Sequence, residues 1–299
     1  MMRVFGDSGA WSIFQSGKEL TMDDYCKWLT EHKEELTCYA NLDVINDGQA
    51  SFDNWVELRK RGFNPLPVYH ASTSPQFLER YMAEGATYLC IGAIAKMNTS
   101  YRVSNLDLIW SNHLVGKTGM PKVKVHGFGL TSLRIMVRYP WYSVDSTSWA
   151  YAARCGLLFI PKYRAGQFRY TEQSYKRFVS TRSPRAKHSG GEHHIDAMGE
   201  HEKKLLRKYL DSIGVPYGKS TMRPYKQGEV LADNERLWDR RVHTHGQSAM
   251  VETIIEAGIV NDQKIRNQTN IIFFLNLAKE MPKYPWAFQL QHKHRKLYV

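Results

Sequence analysis

The sequence predicts an α/β protein: a (β/α)8, TIM-like barrel followed by a basic, mainly helical C-terminal extension. Three observations lead there. Short apolar runs alternate with amphipathic segments over the first 160 residues, the rhythm of repeated βα units. Two aspartates each close such a run and open a loop of small, hydroxylated residues: Asp7 in Asp7-Ser8-Gly9-Ala10-Trp11-Ser12, and Asp145 in Val144-Asp145-Ser146-Thr147-Ser148-Trp149. Parallel barrels place their chemistry at such C-terminal strand ends. Net positive charge, finally, is concentrated in the second half. Residues 161–299 hold 25 of the 41 Lys and Arg but only 14 of the 29 Asp and Glu, against 16 and 15 in residues 1–160.

Taken along the chain, strands are expected at 3–6, 37–42, 66–69, 87–91, 122–125, 142–144 and 156–160. Helical patterns lie near 21–36, 51–61 and 75–84. The first opens on Thr21 with Asp23 and Asp24 behind it, an N-cap and acidic first turn that suit the helix dipole. The second is expected from Ser51, and the third from Ser74-Pro75, with proline at the first helical position. Connections of this kind join parallel strands by right-handed crossovers. Seven strands fall one short of a closed barrel; residues 270–275 (Asn-Ile-Ile-Phe-Phe-Leu) supply the eighth or form a buried helix. The expected division is therefore 1–160 for most of the barrel and 161–299 for the extension, which also supplies the last strand or helix.

With 299 residues, 42% apolar and 23% charged, the composition is that of a folded globular chain rather than a disordered one. No apolar run approaches the roughly 18 residues of a membrane span. The opening segment is too short and too polar for a secretory signal. Cys26, Cys38, Cys90 and Cys155 are scattered without Cys-x-x-Cys spacing, so neither a disulfide framework nor a zinc ribbon is expected, and a reducing cytoplasm is the expected setting.

The extension begins with Lys162, Arg164, Arg169, Lys176, Arg177, Arg182, Arg185 and Lys187, interleaved with Tyr163, Phe168, Tyr170, Tyr175 and Phe178. Cations alternating with aromatics suit phosphate contacts and stacking on unpaired bases; the aromatics alone fit packing against the barrel equally well. His188, His193 and His194 flank Ser189-Gly190-Gly191, without acidic or cysteine partners at the fixed spacing that a metal centre would use. A charged helix is expected at 201–212.

In series, the strand-end segments resemble the guanine transglycosylases, which exchange a base at a glycosidic bond. Asp7-Ser8-Gly9-Ala10-Trp11 resembles that family's Asp-Ser-Gly-Gly-Phe, and Asn41-Leu42-Asp43 lies where it keeps a base-recognising aspartate. Tyr88-Leu89-Cys90-Ile91-Gly92-Ala93-Ile94-Ala95 resembles its Ile-Gly-Gly-Leu-Ala loop. His126-Gly127-Phe128-Gly129 resembles its His-Leu-x-Gly-x-Gly stretch, and Ser143-Val144-Asp145-Ser146 falls at its nucleophilic aspartate. The bacterial tRNA enzymes carry a Cys-x-Cys-x-x-Cys zinc site that this chain does not match, and His70 stands where a glutamine would contact the base. The compact form is most similar to the DNA-directed branch, from phages and bacterial genomic islands, which places 7-deazaguanine derivatives into DNA. A phage origin would make the setting the host cytoplasm.

The resemblance implies the following roles. Asp145 is the nucleophile that holds the sugar covalently, with Ser146 and Thr147 leaving room for the ribose and bonding the carboxylate. Asp7, its pKa raised by burial, protonates departing guanine and later takes the proton of the incoming base. Ser8 orients Asp7 or touches the base. Asp43 accepts from guanine N1–H and the exocyclic amine. Gly92 and Ala93 let the backbone approach the base edge, and His70 and His126 line the pocket. Lys162, Arg164, Arg169, Lys176 and Arg177 grip the nucleic acid. No cofactor or metal is expected; the partners are DNA or RNA and a free 7-deazaguanine.

Taken singly, Asp7 and Asp43 also suit turns, Asp145 a helix N-cap, and the histidines ordinary structural positions. Three other activities use the same residues: exchange on tRNA or another RNA, metal-dependent hydrolysis through His70, His126 and Asp145, and non-catalytic nucleic-acid binding.

Overall fold

A computed structural model of the protein describes residues 4–17, 20–94, 98–130, 132–172, 174–182, 193–238 and 249–290. The chain is mixed α/β and divides into two compact units, residues 1–146 with 282–299, and residues 147–281.

The first unit is built from βα repeats: β1 (Val4–Gly6), α1 (Ala10–Ser16), α2 (Met22–Glu31), β2 (Leu36–Tyr39), α3 (Gly48–Lys60), β3 (Val68–His70), α4 (Gln76–Ala83), β4 (Tyr88–Gly92), α5 (Thr99–Ile109), β5 (Lys124–Gly127), α6 (Leu133–Arg138) and β6 (Ser143–Val144). β1 pairs parallel with β2, and β3-β4-β5-β6 form a second parallel ladder. A single parallel bridge, Ala40 to Leu66, joins the two. Asn41 strengthens that junction. Its buried amide donates to Ser51 O at 2.9 Å and its carbonyl oxygen accepts from Val68 N at 2.8 Å, tying the end of β2 to both α3 and β3.

This sheet is curled. In a flat sheet β1 and β5 would stand about 19 Å apart, four strand spacings of roughly 4.8 Å. Instead the Phe5 ring on β1 stacks on His126 of β5, centroids 4.5 Å apart and planes within 18°. Strand side chains alternate accordingly. Ala40, Val68 and Cys90 cluster with Phe5 and Phe128 inside the curl, while Tyr69, Leu89, Ile91 and Val125 pack outward with α3, α4 and α5. Among the described residues, no pairing joins β6 back to β1.

Local signals explain the helix starts. Thr21 caps α2, its hydroxyl accepting from Asp24 N. α3 begins three residues before the expected Ser51, because the Asp47 carboxylate accepts from Ala50 N and makes Asp47 the cap. α5 and α6 are joined by a buried pair: Arg138 reaches Asp107 with Nε and Nη2, both at 2.8 Å. The segment after residue 281 returns to this unit, where Phe288 packs on Tyr139 and its amide donates to Gly119 O at 2.9 Å.

The second unit corrects two expectations and decides one alternative that the sequence left open. Leu157–Ile160 (β7) is not a seventh parallel strand; it pairs antiparallel with Tyr175–Phe178 (β10). Residues 270–275 lie within an 18-residue helix, Gln263–Glu280, numbered α9. Its buried residues Arg266, Thr269, Asn270, Phe273 and Leu277 recur at helical spacing on one face. Among the described residues the unit is mixed α and β rather than mainly helical. Between α7 (Ser148–Arg154) and α9 lie the hairpin β8 (Lys162–Arg164) and β9 (Gln167–Arg169), the helix α8 (Glu200–Ser212), and a sheet ordered β11-β13-β12. The strands of that sheet are Lys219–Pro224, Met250–Glu256 and Glu235–Trp238 respectively. The boundary accordingly falls at residue 146, not 160.

Candidate active site

The C-terminal ends of β1, β2 and β6 lead into Asp7, Asp43 and Asp145, and the three carboxylates share one field. Asp7 has its pKa raised, first by burial of its carboxyl and then by the charges of Asp43 and Asp145. The backbone N–H groups of Gly9 and Ser8 oppose this without cancelling it. Beneath them, burial pushes the Cys90 thiol of β4 well up, and Asp43, Asp7 and Asp145 all add to the effect. Burial and the nearby Asp7 and Asp43 likewise raise the Tyr25 hydroxyl, which donates to Ala40 O at 2.6 Å. Three acids from three separate crossover units therefore converge over the inside of the curl.

Their surroundings differ. Asp43 is buried. Ser8 Oγ donates to its Oδ1 at 2.6 Å, and His70 Nε2 lies 2.9 Å from its Oδ2. Each oxygen keeps one lone pair for an incoming donor. Asp145 is 54% exposed. Gly129 N–H donates to its Oδ1 at 2.9 Å. Gly129 sits at φ 67°, where a residue with a Cβ would be strained. Asp145 also holds the turn 127–130 through its backbone: Leu130 N donates to Asp145 O at 2.7 Å. It caps no helix, since α7 starts after Thr147.

The two histidines lie buried beside the acids. His70 is 2% exposed and His126 3%. The missing side chain of Gly92 makes room for His70: a Cβ there would meet His70 Cδ2 at 3.0 Å. Ala93 adopts φ 62°, unusual for a residue with a Cβ, so the backbone turns sharply just past β4. His126 Nδ1 lies 2.7 Å from Ser143 Oγ, which lies 2.7 Å from the Tyr88 hydroxyl. Neither Tyr88 nor Ser143 carries a sequence signature; their polar atoms matter only because β4, β5 and β6 are adjacent and in register.

In the second unit the expected nucleic-acid contacts are partly neutralised. Lys162 Nζ and Arg164 Nη1 lie 3.4 and 3.7 Å from the Glu172 carboxylate. Arg177 Nη2 lies 3.2 Å from Glu202, and Lys176 Nζ sits 5.2 Å from the Phe159 ring centre. Arg169 is the cross-strand partner of Lys162. Of the aromatics, Phe168 and Tyr170 pack on Tyr209 of α8, while Tyr175 is exposed. His194 is buried, its Nε2 3.1 Å from Ser180 O; His188, Arg185 and Lys187 lie outside the described residues. Among the described residues no group of three His, Cys, Asp or Glu is arranged to hold a metal ion, and no helix is long and apolar enough to cross a membrane.

No family model, curated protein or solved structure matches the chain.

Proposed function

We propose that the protein is a guanine transglycosylase acting on DNA, exchanging guanine for a 7-deazaguanine derivative in a TIM-like barrel formed around the curled sheet. The observation that carries this reading is the placement of Asp7, Asp43 and Asp145 after the C-terminal ends of β1, β2 and β6, where burial and the charges of the other two raise the proton affinity of Asp7.

In the first step an Asp145 oxygen attacks C1′ and the bond from C1′ to the base breaks, while Asp7 gives its proton to departing guanine. In the second step Asp7, now a carboxylate, takes the N9 proton of the incoming base, whose nitrogen attacks C1′ and releases Asp145. Configuration at C1′ is retained by two displacements. The coupling between the acids suits this cycle. While Asp145 is charged it favours protonated Asp7, the form needed as an acid. Once Asp145 is an ester that charge is gone, and Asp7 is freer to remain ionised, as a base must be. Asp43, held by Ser8 and His70, offers its remaining lone pairs to the N1–H and amine of guanine. A base stacked in a duplex is out of reach, so the target nucleotide is flipped or single-stranded.

The test is incubation of protein, DNA and labelled guanine. Wild type incorporates label, Asp145→Ala does not, and Asp7→Ala is slower by about 10²- to 10⁴-fold, the usual worth of a general acid–base group. Label entering RNA but not DNA would move the protein to the RNA branch. Loss of activity with chelator would favour the metal-dependent hydrolase, and no incorporation into either polymer would overturn the proposal.

A further inference from the structure

Tyr88, Ser143 and His126 have no part in the steps above, yet all three commit polar atoms to one chain inside the curl. Ser143 Oγ lies 2.7 Å from the Tyr88 hydroxyl and 2.7 Å from His126 Nδ1. The other imidazole nitrogen, Nε2, is buried without a hydrogen-bond partner and faces Asp145 Oδ1 at 3.6 Å. The ring cannot turn away: Phe5 stacks on one face, and Phe128 meets it edge-on at 4.7 Å. Such a buried, unpartnered nitrogen is costly unless a partner closes on it, and contacts of this kind often tighten only in the reacting complex.

Building on the proposed exchange, we infer that Tyr88, Ser143 and His126 form a positioning relay that selects the oxygen of Asp145 that attacks and assists its later departure. Burial raises the Tyr88 hydroxyl pKa, so that group keeps its proton and donates it to Ser143 Oγ. Ser143 in turn donates to His126 Nδ1. The remaining imidazole proton then sits on Nε2, aimed at Asp145 Oδ1. With Gly129 N–H already on that oxygen, Oδ1 is doubly held and Oδ2 forms the bond to C1′. When the incoming base displaces Asp145, the C1′–Oδ2 bond breaks and its electron pair returns to the carboxylate. The Nε2–H and Gly129 N–H donors stabilise the charge that reappears, so the relay acts most on the second displacement.

The relay is tested by steady-state exchange and by the share of protein caught as the covalent DNA adduct. His126→Phe keeps the stacked ring and loses the donor. It should lower turnover about 10- to 100-fold, the worth of a hydrogen bond to a charged group, lower KM for DNA as the covalent intermediate accumulates, and raise the adduct share. His126→Gln, which returns an N–H near Nε2, should recover part of the rate. Ser143→Ala, which frees Nδ1 to take the proton, should fall between. Imidazole ¹⁵N shifts of wild type should show Nε2 protonated and Nδ1 bare, with Ser143→Ala mixing the two forms. Wild-type turnover in His126→Phe, an unchanged or smaller adduct share, or a protonated Nδ1 in wild type would overturn the relay. If wild type performs no exchange, the functional reading fails and the relay loses its task; the ¹⁵N spectrum still decides whether the hydrogen-bond chain from Tyr88 to Nε2 exists.

Discussion

Asp7 is the residue on which the site's electrostatics turn, and its proton should be visible in stability. Folding raises its pKa above the ordinary 3.8, so the folded state binds this proton more tightly than the unfolded chain does. Its contribution is therefore complete below the ordinary carboxylate range and is lost as pH rises through the folded value. Asp7→Asn carries no charge at either end. The variant should melt above wild type at pH 7, with the gap closing as pH falls toward 4, as measured by thermal unfolding across that range. A gap independent of pH, or a variant less stable throughout, would mean that Asp7 is not held against its neighbours' charge. At this scale Asp7 and Asp145 stood out as carboxylates followed by small hydroxylated residues at the end of an apolar run, whereas Asp43, followed by Val44 and Ile45, stood out only through the resemblance. The partners of those acids did not. Gly129 N–H, Ser143 Oγ and the Tyr88 hydroxyl acquire their roles only from strand order and register.

Helix starts at the element scale were legible wherever a cap residue stood alone, as at Thr21, and were displaced where two candidates competed. Asp47 and Ser51 both suit a helix start; the structure uses the Asp47 carboxylate as cap and turns Ser51 inward, its Oγ donating to Asp47 O at 2.7 Å. Strand positions were largely legible in the first unit, but an apolar run does not say which way its partner runs. Residues 156–160 pair antiparallel for that reason, and 270–275 form a helix whose inward stripe the run alone conceals. The junction of α5 and α6 offers a test of how elements are held. Asp107 accepts from two nitrogens of Arg138 and, at 2.8 Å, from the Tyr139 hydroxyl, with both charged side chains 9% exposed. Asp107→Ala would leave a buried guanidinium unpaired, so urea unfolding should show a loss of about 3–5 kcal/mol. A loss below about 1 kcal/mol would show that α6 is anchored by its apolar contacts alone.

For the whole molecule, the uneven charge visible in the sequence became a division of labour between units: acids converge in the first, cations collect in the second. The aspartates are spread over 138 positions, and only the curl of the sheet brings their fields together, something no window of sequence could report. The cations proved less free than their density suggested, since Glu172 and Glu202 lie beside three of them. Arg169 and Lys176 are accordingly expected to carry more of the phosphate contact than Arg177. Arg169→Ala and Lys176→Ala should each weaken DNA binding on all sequences and reduce the salt slope by about one, measured by titration across ionic strengths. An unchanged slope would remove these residues from the interface. The central claim, that Asp145 takes the sugar, has one direct measurement: denaturing the protein during exchange and mapping the DNA adduct by peptide mass spectrometry. The account predicts a deoxyribose ester on Asp145, absent in Asp145→Ala; an adduct on another residue, or active exchange with no adduct under any quench, would contradict it.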